Sequence, residues 1–223
     1  MTFSFWSDMS LTDNIISHFE LFILYDRLLA LAGLKRVYYA VHAILDAQIV
    51  LITYSEVWNT FTNFNEAITA PLNYTAVEMC VALHLYHIAL YHTKLDPVEW
   101  AHHALMIGVA LPLGVLIPSG SLLGFSLFFT TGLPGIIIEI FDFLSFNNRI
   151  TRARARQTKA FLFLWIRAPG CCANAALIVV FLNLQGLTGY IACGAWIAAA
   201  LMYWNGQYLA QMLVEANVKR QVS

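Results

Sequence analysis

Two adjacent histidines, His102 and His103, open a long apolar segment in the stretch EWAHHALMIG. A buried imidazole needs a hydrogen-bond partner for each ring nitrogen, and an apolar segment offers few such partners. A histidine in this setting can act as a general base, removing a proton from an amine or hydroxyl that attacks a thioester. These two residues are therefore the candidate catalytic residues, and acyl transfer is the chemistry they favour.

Further ionisable side chains lie within the apolar segments on both sides of this pair. Such side chains are costly in a membrane and usually face the bundle interior or a wet cavity. Asp46, Glu99 or Glu139 could orient a histidine base, and the charge of Arg167 could steady a phosphate or an oxyanion. An internal hydrogen-bonded network that holds the bundle together would use similar residues. The residues predicted to line a polar pocket are His42, Asp46, His84, His87, Glu139 and Arg167.

Other chemistries fit the sequence less well. A zinc hydrolase needs three protein ligands and an open position, and the spacing of the histidines does not favour that arrangement. The chain has seven histidines and no histidine-rich box of the kind that di-iron hydroxylases carry, so no metal site is expected. All four lysines lie outside the apolar segments, which excludes a retinal Schiff base. The lack of an inverted repeat argues against a transporter.

The composition is that of a membrane protein. Of the 223 residues, 60% are hydrophobic and 11% are charged, whereas soluble domains carry about 25% charged residues. The net charge of −1 gives no indication of nucleic-acid binding. The four cysteines lie in apolar segments and fit buried free thiols. The first twenty residues contain no Lys or Arg, unlike a secretory signal or a transit peptide.

A membrane-crossing helix needs about 20 mainly apolar residues. The sequence therefore predicts an all-α, six-transmembrane-helix bundle. We expect segment 14–34 to be an amphipathic helix lying in the membrane interface, and a true span is the alternative. The predicted organisation is an N-terminal segment 1–35, a membrane domain 36–210 and a short tail 211–223. The predicted spans are 38–56, 74–92, 99–117, 121–143, 160–183 and 187–208.

Lys and Arg alternate between the connecting segments. Segments 57–73, 118–120 and 184–186 contain neither residue. Because cytoplasmic segments carry the Lys and Arg excess, both termini are predicted on the cytoplasmic or mitochondrial matrix side. The membrane would be the endoplasmic reticulum or the mitochondrial inner membrane, with the pocket in its cytoplasmic half. The basic stretch RITRARARQTK either fixes topology alone or also contacts anionic headgroups, through Arg152, Arg154 and Arg156.

Three elements resemble the TLC domain, a lipid-handling membrane family that includes ceramide synthases and translocation-associated proteins. They are LHLYHIALYH, the His-His pair that opens the next span, and the apolar span GLPGIIIEIFDF that ends in an acid. The resemblance covers roughly residues 36–210. In ceramide synthases the His-His pair marks the active site that joins acyl-CoA to a sphingoid base, which implies His102, His103 and an acyl-CoA substrate here. His87 stands where many members have an aspartate, and ALMIGVALPLG replaces the extended ceramide-synthase signature.

These observations leave two classes of function. The first is a protein that binds or processes membrane lipid without a cofactor, with acyl transfer as its sharpest version. The second is a non-catalytic accessory subunit that binds structural lipid within a larger membrane complex, for example a mitochondrial one. The expected partners are membrane lipids and, in the second case, other membrane subunits.

Overall fold

Helices form almost the whole of the chain. The computed structural model describes residues 9–222, with the side chains of 12–216, 218 and 219, and no strand occurs in that part. The α-helices are α1 (Met9–Leu31), α2 (Tyr38–Thr62), α3 (Phe64–Ala67), α4 (Tyr74–Tyr91), α5 (Pro97–Leu105), α6 (Leu111–Leu116), α7 (Leu122–Leu127), α8 (Leu133–Phe146), α9 (Arg152–Leu162), α10 (Ala168–Leu184) and α11 (Gly189–Val222).

Four helical segments of the described chain are long and apolar enough to cross a membrane. They are Tyr38–Thr62, Pro97–Leu116, Leu122–Phe146 and Arg152–Leu184. The predicted spans 74–92 and 187–208 are also helical, as α4 and part of α11, but are not among these four. The 18 residues of α4 include one glutamate and two buried histidines, which lower its hydropathy. The predicted tail 211–223 continues α11 as far as Val222.

Three of these four segments contain a π-helical turn, and each such turn ends two residues before a proline. Proline has no N–H, and its ring collides with the carbonyl four residues earlier. The residue before each proline instead donates to the carbonyl five residues back, which widens the helix and avoids a sharp break. The pairs are Met106–Ala110 with Pro112, Phe128–Gly132 with Pro134, and Phe163–Arg167 with Pro169.

The two ends of the bundle differ in their content of Lys and Arg. At one end the backbone N–H of Lys35 donates to Asn147 Oδ1 at 3.0 Å, and Asn147 Nδ2 donates to the carbonyl of Lys35 at 3.0 Å. This contact joins the basic segments that follow α1 and α8. At the other end, Ser121 N donates to the carbonyl of Ala67 at 2.8 Å, which joins two segments that lack Lys and Arg. We call the first the basic end of the bundle.

The expected interfacial position of the N-terminal helix is not confirmed. Helix α1 packs lengthwise on α4 and runs in the same direction. Asn14 Nδ2 donates to Glu78 Oε1 at 3.4 Å near the start of α4. Near its end, Tyr86 Oη donates to Asp26 Oδ2 at 2.6 Å. Helix α1 starts opposite the basic end, and α11 runs towards the basic end. The start of α1 and the end of α11 therefore lie at opposite ends of the bundle, and the predicted membrane side of the termini stays a prediction. Residues 1–8 of the predicted segment 1–35 lie outside the described part.

Candidate functional site

Five histidine rings adjoin one another between α2, α4 and α5. The ring centroids of His42 and His87 are 4.4 Å apart, and those of His87 and His103 are 5.3 Å apart. His84 lies 5.0 Å from His103 and 5.4 Å from His102. His102 and His103 are themselves 5.6 Å apart. The structure thus brings both candidate catalytic histidines together with three of the predicted pocket residues, and we call these five residues the histidine cluster.

Helix α4 places two members of the histidine cluster on one face. His84 and His87 are three residues apart, a spacing that puts side chains on the same side of a helix. His84 Nδ1 donates to the carbonyl of Cys80 at 2.7 Å, because a carbonyl can only accept. This bond fixes the ring and leaves Nε2 of His84 as the free acceptor nitrogen.

The start of α5 orients the His-His pair. Pro97 occupies the first turn, and Asp96 Oδ1 accepts from the backbone N–H of Val98 at 2.8 Å and of Glu99 at 2.9 Å. Glu99 Oε2 in turn accepts from the backbone N–H of Asp96 at 2.9 Å, which completes a capping box. Glu99 is therefore a helix cap and not the partner of a histidine.

Several ring nitrogens of the histidine cluster have no hydrogen-bond partner. Nε2 of His42, Nε2 of His87 and Nδ1 of His103 are buried and unpaired. A buried polar atom left unpaired costs about 1–3 kcal/mol. These three atoms belong to adjoining rings, and imidazole nitrogens are donors and acceptors able to bind a hydroxyl, amine, carbonyl or phosphate group.

The expected pairing of a carboxylate with a histidine base does not form. Asp46 is buried, and its Oδ1 accepts from Thr131 Oγ1 at 2.7 Å. No hydrogen bond joins Asp46, Glu99 or Glu139 to a histidine among the described residues. Gly135 makes room for Asp46, because a Cβ at Gly135 would lie 2.2 Å from Asp46 Oδ2. The carboxyl of Asp46 thus links α2 to the segment Phe128–Phe146.

A small pocket at the basic end borders one member of the histidine cluster, His87. Its lining includes the cations Arg36 and Lys94 as well as His87. The Lys94 ammonium lies 5.2 Å from the ring centroid of Tyr91, and the ring of Tyr38 meets that of His87 edge-on at 5.2 Å. We call this pocket the mouth. Of the residues predicted to line a pocket, His87 lines the mouth, and His42, Asp46, His84, Glu139 and Arg167 are not part of its lining. The full lining is Arg36, Tyr38, His87, Tyr91, Lys94, Leu95 and Glu99.

Arg167 is buried outside the mouth, at the end of the π-helical turn Phe163–Arg167. Its side chain is 8% exposed, and its Nε donates to the carbonyl of Thr130 at 2.8 Å. Nη2 donates to Asn205 Oδ1 at 3.5 Å, and Nη1 has no partner. Thr130 and Thr131 are neighbours, so one π-helical turn connects Arg167 to Asp46.

The three arginines predicted to contact headgroups are exposed at the start of a helix. The sequence places this stretch before the predicted span 160–183, whereas α9 already begins at Arg152, where Thr151 Oγ1 accepts from the backbone N–H of Arg154 at 3.2 Å. Arg156 is exposed one turn after Arg152. Their contact with headgroups stays a prediction. On the same helix, Lys159 forms an ion pair of 3.4 Å with Asp142 of α8.

Sequence reasoning missed the polar residues that flank the histidine cluster. Asp26 is 3% exposed and accepts hydrogen bonds from the hydroxyls of Tyr86 and Tyr91. The ring of Tyr86 lies 5.6 Å from that of His87. The sequence signal for these residues was the placement of Tyr86 and Tyr91 near His87 in LHLYHIALYH. The sequence around Asp26 did not indicate which residues the aspartate would bond to.

Within the described residues, no group of three or more His, Cys, Asp or Glu side chains is placed to hold a metal ion. Comparison with family models finds no match, and neither a curated protein nor a solved structure matches the chain significantly. The resemblance to the TLC domain therefore stays a prediction that depends on the quoted motifs.

Proposed function

We propose that this chain is an integral membrane protein that binds a membrane lipid by its headgroup at the histidine cluster. The observation that carries the proposal is the set of three unpaired, buried ring nitrogens, one of them on His87, which lines a mouth that also contains two cations and the single carboxylate of Glu99. Such nitrogens are stabilised by a polar ligand, and the cations favour one with negative charge. A lipid headgroup meets both requirements at the surface of a membrane.

The proposed topology places the basic end of the bundle on the cytoplasmic or matrix side. The six predicted spans then correspond to α2, α4, α5–α6, α7–α8, α9–α10 and α11. Helix α1 runs parallel to α4, which supports the alternative that α1 is a further span. The N-terminus of α1 would then lie on the opposite side from the end of α11. Endoplasmic reticulum and mitochondrial inner membrane both fit this arrangement.

The sharpest version of the proposal is acyl transfer from acyl-CoA. His102 or His103 would remove the proton from an amine or hydroxyl as it attacks the thioester carbonyl. The carbon–sulfur bond would then break, and the thiolate of coenzyme A would leave and take up the proton. The TLC resemblance of the His-His pair supports this version, and His102 is exposed enough to meet a substrate.

Lipid binding is tested by mass spectrometry of the lipids that co-purify with the protein. The variants His87→Leu and His103→Leu should each retain about tenfold less of the lipid bound by the wild type, since a lost polar contact of about 1.4 kcal/mol is a tenfold change. His92→Leu is the matched control, because His92 is exposed and lies outside the cluster. An unchanged lipid content in both cluster variants would contradict the proposal.

Acyl transfer has a separate test. Changing His102 and His103 to Ala should abolish the turnover of acyl-CoA by the purified protein. If the double variant turns over acyl-CoA at the wild-type rate, these residues are not the base, whatever lipid the protein binds.

A second candidate function is that of an accessory subunit in a larger complex. The polar and charged residues exposed on one side of α1 favour it. Ser17, Glu20 and Arg27 are exposed along one side of this helix. Exposed charges on a membrane helix are costly unless another chain covers them. A blue-native gel after mild detergent extraction tests this candidate: migration in a large, defined complex supports it, and migration as a small free species excludes it.

A further inference from the structure

Arg167 carries a buried charge without a matching negative charge in the described chain. The ion pairs there are Lys159 with Asp142 and Lys219 with Glu215, and neither includes Arg167. The guanidinium stays protonated in proteins. An unpaired buried charge costs several kcal/mol, so a site of this kind is stabilised when an anion enters it. Water could satisfy the free N–H groups but not the charge.

The surrounding backbone holds the guanidinium in one place and leaves part of it free. Pro134 lacks the N–H that would otherwise bond to the carbonyl of Thr130, so this carbonyl accepts from Arg167 Nε. Asn205 of α11 contacts Nη2, and the ring of Phe163 lies 4.7 Å from the guanidinium carbon. Three neighbours therefore position the group, while Nη1 keeps its donors unpaired.

A second unpaired polar side chain lies in α10, the helix that directly follows Arg167. Asn174 is 1% exposed, and neither its Nδ2 nor its Oδ1 has a hydrogen-bond partner. It follows Arg167 by seven residues, which is two helical turns or about 10 Å. Both residues are thus buried with unpaired polar atoms, and Arg167 is the one nearer the basic end of the bundle.

We propose that Arg167 binds the anionic oxygen group, a carboxylate or a phosphate, of an acidic lipid. The inference rests on the proposed lipid binding and names the class of lipid: one with negative charge, not a neutral one. The planar fork of a guanidinium matches both carboxylate and phosphate through paired N–H donors. Arg36 and Lys94 at the mouth would attract the same class of headgroup.

The test compares unfolding temperatures in nanodiscs of phosphatidylcholine alone, with added phosphatidic acid, and with added oleic acid. The six tryptophans of the chain provide the fluorescence readout. At least one acidic lipid should raise the unfolding temperature of the wild type. Arg167→Met should lose that rise, and Arg167→Lys should keep part of it because lysine retains the charge without the fork.

The controls separate a ligand site from a structural role. Arg27→Met removes an exposed arginine of α1, outside both the mouth and the basic stretch, and should respond to acidic lipid as the wild type does. In phosphatidylcholine alone, Arg167→Met should unfold at a temperature equal to or above that of the wild type, because it removes an uncompensated buried charge. A clear fall there, with the response to acidic lipid preserved, would assign Arg167 a purely structural role and overturn the inference.

Each outcome of the lipid comparison decides one point. A response to phosphatidic acid alone identifies phosphate, a response to oleic acid alone identifies carboxylate, and a response to both shows that charge is sufficient. If wild type and Arg167→Met respond equally, or the wild type does not respond, the inference is wrong. Even if the inference about Arg167 is wrong, loss of co-purified lipid from His87→Leu and His103→Leu would still support the proposed lipid binding at the histidine cluster.

Discussion

Asp26 shows how a single residue can change the interpretation of a whole helix. In the sequence it interrupts an apolar stretch, which favours a helix lying on the membrane surface. In the structure its carboxyl accepts from Tyr86 and Tyr91 and is 3% exposed. A buried polar group that is hydrogen-bonded loses most of its desolvation penalty. Asp26, which in the sequence argues against burying α1, therefore makes one of the contacts that hold α1 and α4 together.

The contact between Tyr86 and Asp26 gives a direct prediction for stability. Tyr86→Phe should lower the free energy of unfolding by about 1–3 kcal/mol, because it leaves a buried carboxyl with one partner fewer. Tyr190→Phe is the control, since Tyr190 is 86% exposed. Reversible unfolding in mixed micelles measures both. Equal stability of Tyr86→Phe and wild type would show that this hydrogen bond makes no net contribution.

Part of the histidine cluster could be predicted from the sequence. The spacing of His84 and His87 fixes a shared helix face, and polar residues in apolar helices converge on the bundle interior. The carboxylate partners could not be predicted, because Asp46 bonds to Thr131 across 85 residues of chain and Glu99 serves a cap. Contacts of this kind depend on tertiary packing, which no local pattern encodes.

At the level of elements, the apolar pattern located the helices well and their ends less well. Helices lie at every predicted span, but α9 begins at Arg152, before the predicted span 160–183. The cause is a basic face that local hydropathy assigns to a loop, although Thr151 caps a helix there. The π-helical turns follow from the positions of the prolines, and the one before Pro134 frees the carbonyl that Arg167 uses.

Close packing of α10 on α11 depends on a glycine. A Cβ at Gly206 would lie 2.7 Å from Cys171 Cβ and 3.3 Å from Ala168 Cα, neither of which is the end of a flexible side chain. Gly206→Ala should therefore lower the free energy of unfolding by about 1–3 kcal/mol, the usual cost of overpacking. Small residues at such contacts allow membrane helices to approach closely.

Gly108→Ala provides the comparison for this prediction. No atom lies within 4 Å of a Cβ at Gly108, so only the gain in helix propensity remains, about 0.5–1 kcal/mol. The two alanine variants should therefore change the unfolding temperature in opposite directions. Destabilisation of similar size in both would show that close approach at Gly206 is not the cause.

At the level of the molecule, the described segments are sorted by charge between the two ends. The contacts of Lys35 with Asn147 and of Ser121 with Ala67 bring like segments together, as a bundle that follows the positive-inside rule requires. The direction of α1 shows at which end of the bundle this helix starts, which the sequence interpretation did not predict. Its start lies opposite the basic end, and the first twenty residues contain no Lys or Arg to oppose that placement.

The two termini should therefore lie on opposite sides of the membrane. Epitope tags at the N- and C-terminus, probed after selective permeabilisation of the cytoplasm-facing membrane, should be accessible in different compartments. A tag between α8 and α9 marks the basic side, and one between α2 and α4 marks the other. If both terminal tags are in the compartment of the α8–α9 tag, α1 does not span the membrane. That result would support the interfacial helix predicted from the sequence. Because the contact between Asp26 and Tyr86 ties α1 to α4, both helices would then have to lie outside the hydrocarbon core. The buried side chains of α4 do not favour such a position for that helix.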